Sequence, residues 1–480
     1  MIVRGGLRLD SHKARPFERP IRGVPPPSQA VLALDQGSGA ESEPLVKTGD
    51  AVYVGTPVAA GAAAAAALHS PVSGVVREIG MRATLCGSGS CIVIDNDGRE
   101  ARAASLSPLD WRALDGAALL EHIAAGGAAG FGGGAFPTAT KLALARAARA
   151  DLLLLNAVEC EPWICCDDAL LRERAAQVVL GAQVLLAAAG AQRCVVAITD
   201  DKPAALAALQ SATAVAGDAR IELRVLPAVF PLGAEAALIS AITGREVPHD
   251  GLPPQVGVVC QNVGTAAAVA RLVQDGQPVI GRIVTVTGSG VREPCNVEAR
   301  IGTPIAELIA ACGGADGANL RRIAGGSLTG RLLQSDAVPV TKALNCVLVA
   351  TPADLPVRGR EMPCIRCGDC ATVCPAGLLP QQLHAAARAD DANGLVRHGL
   401  SACIECGCCD YVCPSAIALT AQFHAARERQ QLQDRERRRA LDARARHERH
   451  QRRLAEQAAA ERRAFDTARR RARGPDPGTD

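Results

Sequence analysis

Residues 364–375 read CIRCGDCATVCP, and residues 403–414 repeat the pattern as CIECGCCDYVCP. Both runs have the C-x-x-C-x-x-C-x-x-x-C-P spacing of iron–sulfur ligands. A 4Fe-4S cluster needs four thiolates around one small volume, and gaps of two residues let a single loop deliver three of them. A pair of zinc knuckles is the alternative, but zinc sites take their ligands in two pairs, without a third Cys at the same spacing. The spacing therefore predicts two 4Fe-4S clusters.

The ligand sets of the two predicted clusters follow from a rule for two-cluster ferredoxins, in which the fourth Cys of each run binds the neighbouring cluster. By this rule one cluster takes Cys364, Cys367, Cys370 and Cys413, and the other takes Cys403, Cys406, Cys409 and Cys374. The extra thiol of Cys408 has no predicted role. Because such clusters carry single electrons and form no bonds themselves, we expect the chain to contain or contact a donor of electron pairs.

Length and composition restrict the class of protein. At roughly 150 residues per domain, 480 residues suggest about three domains, and a composition that is 48% apolar is typical of a folded chain. The 19 cysteines are odd in number and no secretory signal precedes them, which favours metal binding over a disulfide scaffold. The chain has no uncharged apolar stretch of about 18 residues, so we expect a cytoplasmic protein that does not span a membrane.

The periodicity of apolar residues predicts a multidomain protein of α/β plus α+β class. A basic, Pro-rich arm and short β-prone runs fill residues 1–108, strands alternating with Ala-rich helices fill 109–275, and a small α+β module with return strands fills 276–357. The cysteine runs lie in a module at 358–418. Residues 419–480 form an Ala- and Arg-rich tail, which is predicted to be a solvated helix or a partly disordered arm.

The tail carries most of the positive charge. Residues 427–480 hold 17 Arg against 10 acidic residues, which leaves 35 basic against 39 acidic residues in the rest of the chain. Such a cationic segment suits an acidic protein partner or the anionic surface of a membrane. A solvated helix without a function is the alternative interpretation.

The β-rich part of the first region contains the order KTGDAVYVGTPVA and then HSPVSGVV. This order resembles the barrel-sandwich hammerhead of biotinyl and lipoyl domains. The hairpin position that carries a modifiable Lys in those domains holds Ser70-Pro71-Val72-Ser73 here. A plain β-sandwich used for packing is the other interpretation.

A glycine loop at residues 130–141, GFGGGAFPTATK, precedes a strand that ends in NAVECEPW at residues 156–163. Glycine lets backbone N–H groups approach a phosphate closely, and the helix start after Pro137 adds a favourable dipole. Alone, the loop could equally be an ordinary flexible one. Carboxylates at the carboxyl end of a strand suit ribose hydroxyls or the edge of a flavin ring, so the pair of motifs favours a nucleotide site.

These motifs resemble those of the flavin-carrying, NADH-oxidising subunit of respiratory complex I, with its GRGGxGFPTGxKW loop. They are more similar to the RnfC family of Rnf electron transport complexes. The shared motifs appear in the same order as GFGGGAFPTATK, NAVECEPWICCDD, GREVPHDGLPPQVGVVCQNVGT, VTVTG, GTP and the two cysteine runs. The resemblance covers about residues 1–418, and the Ala- and Arg-rich tail is also similar to that of the family.

The resemblance implies a hammerhead-like N-terminal domain, an FMN- and NADH-binding α/β domain of the complex I type, a β-grasp SLBB module at about 278–330, a dicluster ferredoxin-like domain and a helical tail. It implies that the flavin phosphate and nucleotide loop comprises Gly130, Gly132, Gly133, Phe136 and Lys141. By the same resemblance, Asn156, Glu159 and Glu161 lie on the flavin and nicotinamide side, and Glu235 joins the site. No residue is assigned as a general acid or nucleophile.

The chain departs from the family pattern in three places, at two single residues and in one short loop. Ala135 stands where the family has Gly, Ala236 stands where relatives have Lys, and residues 325–330 read GGSLTG instead of GGPMMG.

The function that the resemblance implies is the NADH-facing component of a membrane-bound, ion-translocating complex. Electrons would move between NADH and ferredoxin or flavodoxin through FMN and the two clusters. The partners would be membrane subunits and a second ferredoxin-like subunit, without nucleic acid, and the location would be the cytoplasmic side of the inner membrane. Two alternatives are a soluble cobalamin reductase with the same domain order and an electron-transfer scaffold whose nucleotide site has decayed.

Overall fold

The computed structural model describes residues 4–62, 64–103, 107–249, 251–356 and 359–472. They divide into two compact units. The first comprises Met1–Gln381 with Ser401–Leu419, and the second comprises Gln382–Leu400 with Thr420–Asp480. Across the described ranges no helix is both long and apolar enough to cross a lipid bilayer.

The N-terminal arm packs along the first unit. It contains a short helix α1 (Ala14–Phe17) and a strand β1 (Arg22–Gly23). Before α1, the backbones of Leu7 and Phe230 form two hydrogen bonds with each other. The Gly6 N–H donates to the Val373 carbonyl at 2.9 Å. The imidazole of His12 stacks on Trp163 at 4.4 Å between ring centroids. The arm thereby fixes the cysteine module to the α/β domain.

The β-rich domain after the arm contains two antiparallel sheets, ordered β2-β8-β7-β4 and β3-β5-β6. Its inward side chains, such as Leu32, Leu68 and Ile92, are buried in a core shared with the α/β domain. The strands are β2 (Gln29–Ala33), β3 (Glu43–Pro44), β4 (Ala51–Val52), β5 (Pro57–Ala60), β6 (Leu68–His69), β7 (Gly74–Thr84) and β8 (Gly87–Asn96).

The α/β domain has a parallel sheet ordered β11-β10-β9-β12 with helices on both faces. Its strand β9 has an uninterrupted apolar run, LLLL, because both faces of the strand are covered. The elements are α2 (Gly116–Ala125), α3 (Thr138–Ala147), β9 (Leu152–Ala157), α4 (Cys166–Ala189), β10 (Arg193–Thr199), α5 (Pro203–Ala216), β11 (Ile221–Leu226), α6 (Glu235–Thr243), β12 (Val258–Asn262) and α7 (Val263–Asp275).

The α+β module follows with a mixed sheet ordered β1-β14-β13-β17-β15-β16, in which the arm strand β1 forms one edge. One helix covers a core of Val, Ile and Leu side chains. The elements are β13 (Gly281–Thr287), β14 (Cys295–Arg300), α8 (Ile305–Ala311), β15 (Arg321–Ala324), β16 (Arg331–Leu332) and β17 (Cys346–Ala350).

The cysteine module repeats one local structure. Short helices α9 (Asp369–Thr372) and α12 (Cys408–Tyr411) each follow a glycine with positive φ, +88° at Gly368 and +79° at Gly407. Two further helices in this part of the chain are α10 (Pro380–Arg388) and α11 (Ala392–Arg397). The repeat of the sequence is therefore also a repeat of the backbone.

The tail is one helix, α13 (Leu419–Ala472). Its first turns are packed, since Phe423 and Ala426 are buried and Gln422 lies 2.7 Å from His384 Nδ1 of α10. From residue 431 to 469 almost every described side chain is exposed. The prediction of a solvated helix is confirmed along this length.

Candidate functional site

The site forms at the carboxyl edge of the parallel sheet, where β9 and β12 end. Asn156 and Asn262 are register partners in these two strands, so their amides lie side by side. Asn156 Nδ2 donates to the Gly233 carbonyl at 2.8 Å, and Asn262 Oδ1 caps α7 by accepting from the Gly264 N–H at 2.7 Å. Ligands of parallel α/β sheets bind at this edge.

The glycine loop lies over that edge and holds three amides open. The Phe136 carbonyl accepts from the Gly130 N–H at 2.9 Å, which closes the loop into a turn. Within the described ranges, no protein group accepts from the N–H groups of Gly132, Gly133 and Gly134. A Cβ built on Gly133 or Gly134 would meet no atom within 4 Å. Three consecutive free amides beside open space form a suitable site for a phosphate.

Two cavities meet at this loop. The first, called here the cluster-side cavity, measures about 260 Å³. The second, called the hairpin-side cavity, measures about 320 Å³ and extends to the tip of the β7–β8 hairpin. Both are lined by Gly132, Glu161, Ile164, Thr329 and Asn345. The two cavities therefore adjoin each other beside the glycine loop.

The two acidic residues predicted at the strand end are both fixed by backbone amides. Glu159 accepts from the N–H groups of Asp167 at 2.7 Å and Asp168 at 3.1 Å, so its carboxylate caps the start of α4. Glu161 accepts from the Thr329 N–H at 2.9 Å and from the Thr329 hydroxyl at 2.5 Å. The divergent loop GGSLTG thus holds Glu161 at the wall of both cavities.

The predicted site residues are only partly brought together. Five of them line the cavities, namely Gly132, Gly133, Asn156, Glu159 and Glu161. Lys141 and Glu235 instead form an ion pair with each other at 2.5 Å and do not line either cavity. Gly130 and Phe136 shape the loop from outside the two cavities.

Ala135 has a left-handed backbone, with φ at +43°, although it carries a side chain. It is buried, it does not line either cavity, and its methyl lies on the side of Gly37. The residue that replaces the family glycine therefore occupies packed space beside the loop and leaves both cavities open.

Sequence reasoning missed several lining residues. Asp167 and Asn262 line the cluster-side cavity, and Arg331 lines the hairpin-side cavity, where it donates to Cys86 Sγ at 3.3 Å. Asp167 and Asn262 stand within motifs that the sequence itself singled out, NAVECEPWICCDD and QNVGT. Cys86 and Arg331 come from other domains, and no local pattern signals them.

The cysteine module reaches the same space, because Cys406 lines the cluster-side cavity together with Gly132 and Asn156. Burial raises the pKa of Cys374, and the nearby Cys406 raises it further. At the other end of the module, Cys364 and Cys367 are exposed. One group of thiols therefore faces the cavity and another faces solvent.

Comparison with known proteins identifies the parts of the chain. Residues 1–99 match the RnfC barrel sandwich hybrid domain, and residues 123–271 match the Nuo51 FMN-binding domain. Residues 283–332 match the SLBB domain, and residues 357–422 match the 4Fe-4S dicluster domain. The predicted set of domains is confirmed, and so are FMN and iron–sulfur clusters as the cofactors of these domains. The free amides of the glycine loop fit the FMN phosphate, and the soft thiolates of the cysteine runs fit iron.

Similar curated proteins are named as the C component of an ion-translocating oxidoreductase complex. The protein from Pseudomonas aeruginosa is 45% identical over 82% of this chain and 51% of its own length. The Erwinia tasmaniensis protein is 40% identical over 99% of this chain and 59% of its own length. The Rhodobacter capsulatus protein is 38% identical over 83% of this chain and 77% of its own. The chain thus spans about half to three quarters of the length of these relatives.

Among solved structures, an NAD+-reducing [NiFe]-hydrogenase in the air-oxidized state is similar, with 23% identity and a TM-score of 0.45. The match covers 59% of this chain and 54% of that one.

Proposed function

Because the chain belongs to the RnfC family of ion-translocating oxidoreductase complexes, we propose that it exchanges electrons between NADH and an iron–sulfur or flavin protein partner within such a complex. The observation that carries this proposal is the shared space in which Cys406 and the open glycine loop line one cavity. When bound, FMN supplies the conversion between a hydride and two single electrons. The protein holds the flavin phosphate, excludes water and orders the clusters.

The proposed order of the clusters follows from exposure. Cys403, Cys406, Cys409 and Cys374 would hold the cluster next to the cavity, since Cys406 is in the cavity wall. Cys364, Cys367, Cys370 and Cys413 would hold the outward cluster, since Cys364 and Cys367 are exposed. The two clusters would then carry single electrons between the cavity and the exposed surface, where the partner protein would dock.

Anaerobic addition of NADH to the flavin- and cluster-loaded protein tests the proposal. We expect the flavin absorbance to bleach and both cluster signals to appear in electron paramagnetic resonance, because Cys406, a predicted cluster ligand, lines the proposed flavin cavity. NADH that leaves the flavin oxidised, while dithionite reduces the clusters, would instead identify a scaffold with a decayed nucleotide site. Faster reoxidation by cob(II)alamin than by ferredoxin would identify a cobalamin reductase.

The tail is proposed to bind the protein to the anionic cytoplasmic surface of the inner membrane. The exposed part of α13 is strongly basic, and each Arg close to anionic headgroups contributes about 1 kcal/mol. We expect deletion of residues 430–480 to leave the flavin and iron content unchanged and to reduce binding to anionic lipid vesicles. The binding of the intact protein should weaken as salt rises from low to physiological strength, because the Debye length shortens.

The deletion begins beyond the packed turns of α13, so the buried Phe423 and Ala426 stay in place. Vesicles of neutral lipid serve as the control and should bind both proteins equally weakly. A truncated protein that binds anionic vesicles as well as the full chain does would contradict this role, and a truncated protein without flavin or iron would make the tail structural.

A further inference from the structure

The proposed function leaves one proton to be removed from the flavin cavity. Oxidation of NADH gives NAD+, two electrons and one proton, and iron–sulfur clusters carry only the electrons. The proton must therefore leave through a group of the protein or through water. A titratable side chain in the cavity wall, with a route to solvent, would meet this requirement.

Three carboxylates line the cluster-side cavity, those of Glu159, Glu161 and Asp167. Both oxygens of Glu159 accept backbone N–H groups, and Glu161 accepts two N–H groups and a hydroxyl. All four oxygens of these two carboxylates are thus already held by donors of the protein.

Asp167 has a different environment. Its Oδ2 accepts from Asn262 Nδ2 at 2.6 Å, and no backbone amide within the described ranges donates to its carboxylate. The carboxylates of Glu159 and Asp167 lie within 4.8 Å of each other. Burial first, and the charge of Glu159 second, raise the pKa of Asp167 to about 7. Asn262, Arg282 and Lys202 oppose this rise in the pKa. The other titratable neighbours on the same helix as Asp167 are Cys166 and Asp168.

Asp167 also lines a separate, smaller cavity, called here the exit cavity. It measures about 40 Å³, which is room for at least one water molecule. Within the part of the chain that the structure describes, the buried Oε1 of Gln177 in its wall has no hydrogen-bond partner, so a water there would satisfy it. Glu298, which also lines the exit cavity, pairs with Arg174 at 2.7 Å and with Arg271 at 2.6 Å. These three side chains are 23–29% exposed, so part of the cavity wall borders solvent.

We propose that Asp167 accepts the proton released at the flavin and passes it to water in the exit cavity. One Asp167 oxygen forms an O–H bond as the proton leaves the cluster-side cavity, and that bond breaks when water in the exit cavity takes the proton. The two electrons leave separately through the clusters. The carboxylate returns to its ionised form, so the step balances for each NADH and needs no further reactant.

Asp167→Asn tests the proposal, because it keeps the shape and the acceptor for Asn262 but cannot take a proton. In the wild type, infrared difference spectra between pH 6 and pH 8 should contain a carboxylic acid band that disappears with an inflection near pH 7. The variant should lack that band. In the wild type, the rate at which NADH reduces the clusters should rise as the pH increases through 7, because the carboxylate forms. In the variant, that rate should be about a hundredfold lower and should show no inflection near pH 7.

Two further variants separate proton transfer from a structural role. Asp167→Glu retains a carboxyl group and should restore the band and most of the rate. Asp168→Asn changes the next residue, which pairs with Arg172 at 3.1 Å and does not line the cluster-side cavity, and should retain the band. An unchanged infrared band in Asp167→Asn, or loss of FMN from both Asp167 variants, would overturn the proposal. If NADH does not reduce the wild type, the proposed function is wrong, and the infrared experiment still reports whether Asp167 titrates.

Discussion

The double variant Cys374→Ala/Cys406→Ala should retain one cluster, with about four iron atoms in place of the wild type's about eight. The crossed assignment places both residues on the same cluster, so their loss leaves the other ligand set complete. If each cysteine run instead built its own cluster, this variant would damage both. Anaerobic iron and sulfide analysis, together with electron paramagnetic resonance, distinguishes a protein that retains one cluster from a protein that retains none.

The matched double variant Cys374→Ala/Cys364→Ala reverses the expectation. Here the crossed assignment predicts that both clusters are lost, and an uncrossed one predicts that one cluster survives. Cys408→Ala serves as the control for the extra thiol and should retain about eight irons. Because Cys406 lines the cluster-side cavity, the first variant should also interrupt electron flow from NADH to the remaining cluster. Iron contents in the opposite order would contradict the crossed assignment.

The sequence predicted what depends on local pattern. Cysteine spacing predicted the dicluster module, since one backbone loop delivers three ligands, and the alternation of strands with Ala-rich helices predicted the α/β domain. The positions of Asn156 and the glycine loop at the sheet edge also followed from the order of motifs. Each of these features needs only residues close together in the chain.

Other features of the site depend on contacts between distant parts of the chain. Lys141, which the resemblance assigns to the flavin phosphate and nucleotide loop, pairs in the structure with Glu235, 94 residues later. The hydrogen bonds of Glu161 come from Leu328 and Thr329 in another domain. Asp167 was visible in a motif, yet only its position between two cavities distinguishes it from Asp168. Spacing cannot predict such partners, because they are set by how the domains pack.

In the glycine loop, we expect the substitution Gly133→Val to abolish FMN binding. Gly133 has φ at +109° and lines the hairpin-side cavity, and a Cβ built there meets no protein atom. A branched side chain would fill the space beside the free amides and keep a phosphate from approaching them. Flavin released by denaturation and measured by fluorescence should fall to a few percent of the wild type, while iron content stays unchanged.

Two controls separate blocked space from backbone strain. Gly134→Ala keeps the free N–H of the loop and adds only a methyl, at a residue that has no positive φ and does not line either cavity, so this variant should retain FMN. Gly217→Val places a branched residue at φ +60° after α5, where an added Cβ meets no atom within 4 Å. This variant should lower the stability of the fold without loss of FMN. If Gly217→Val loses FMN as Gly133→Val does, destabilisation of the fold explains the loss. If Gly133→Val retains FMN, the flavin phosphate binds elsewhere. We expect both controls to bind FMN fully and Gly133→Val alone to lose it. That result would mean that the open amides of this loop hold the flavin, because of the three substituted residues only residue 133 lines the cavity.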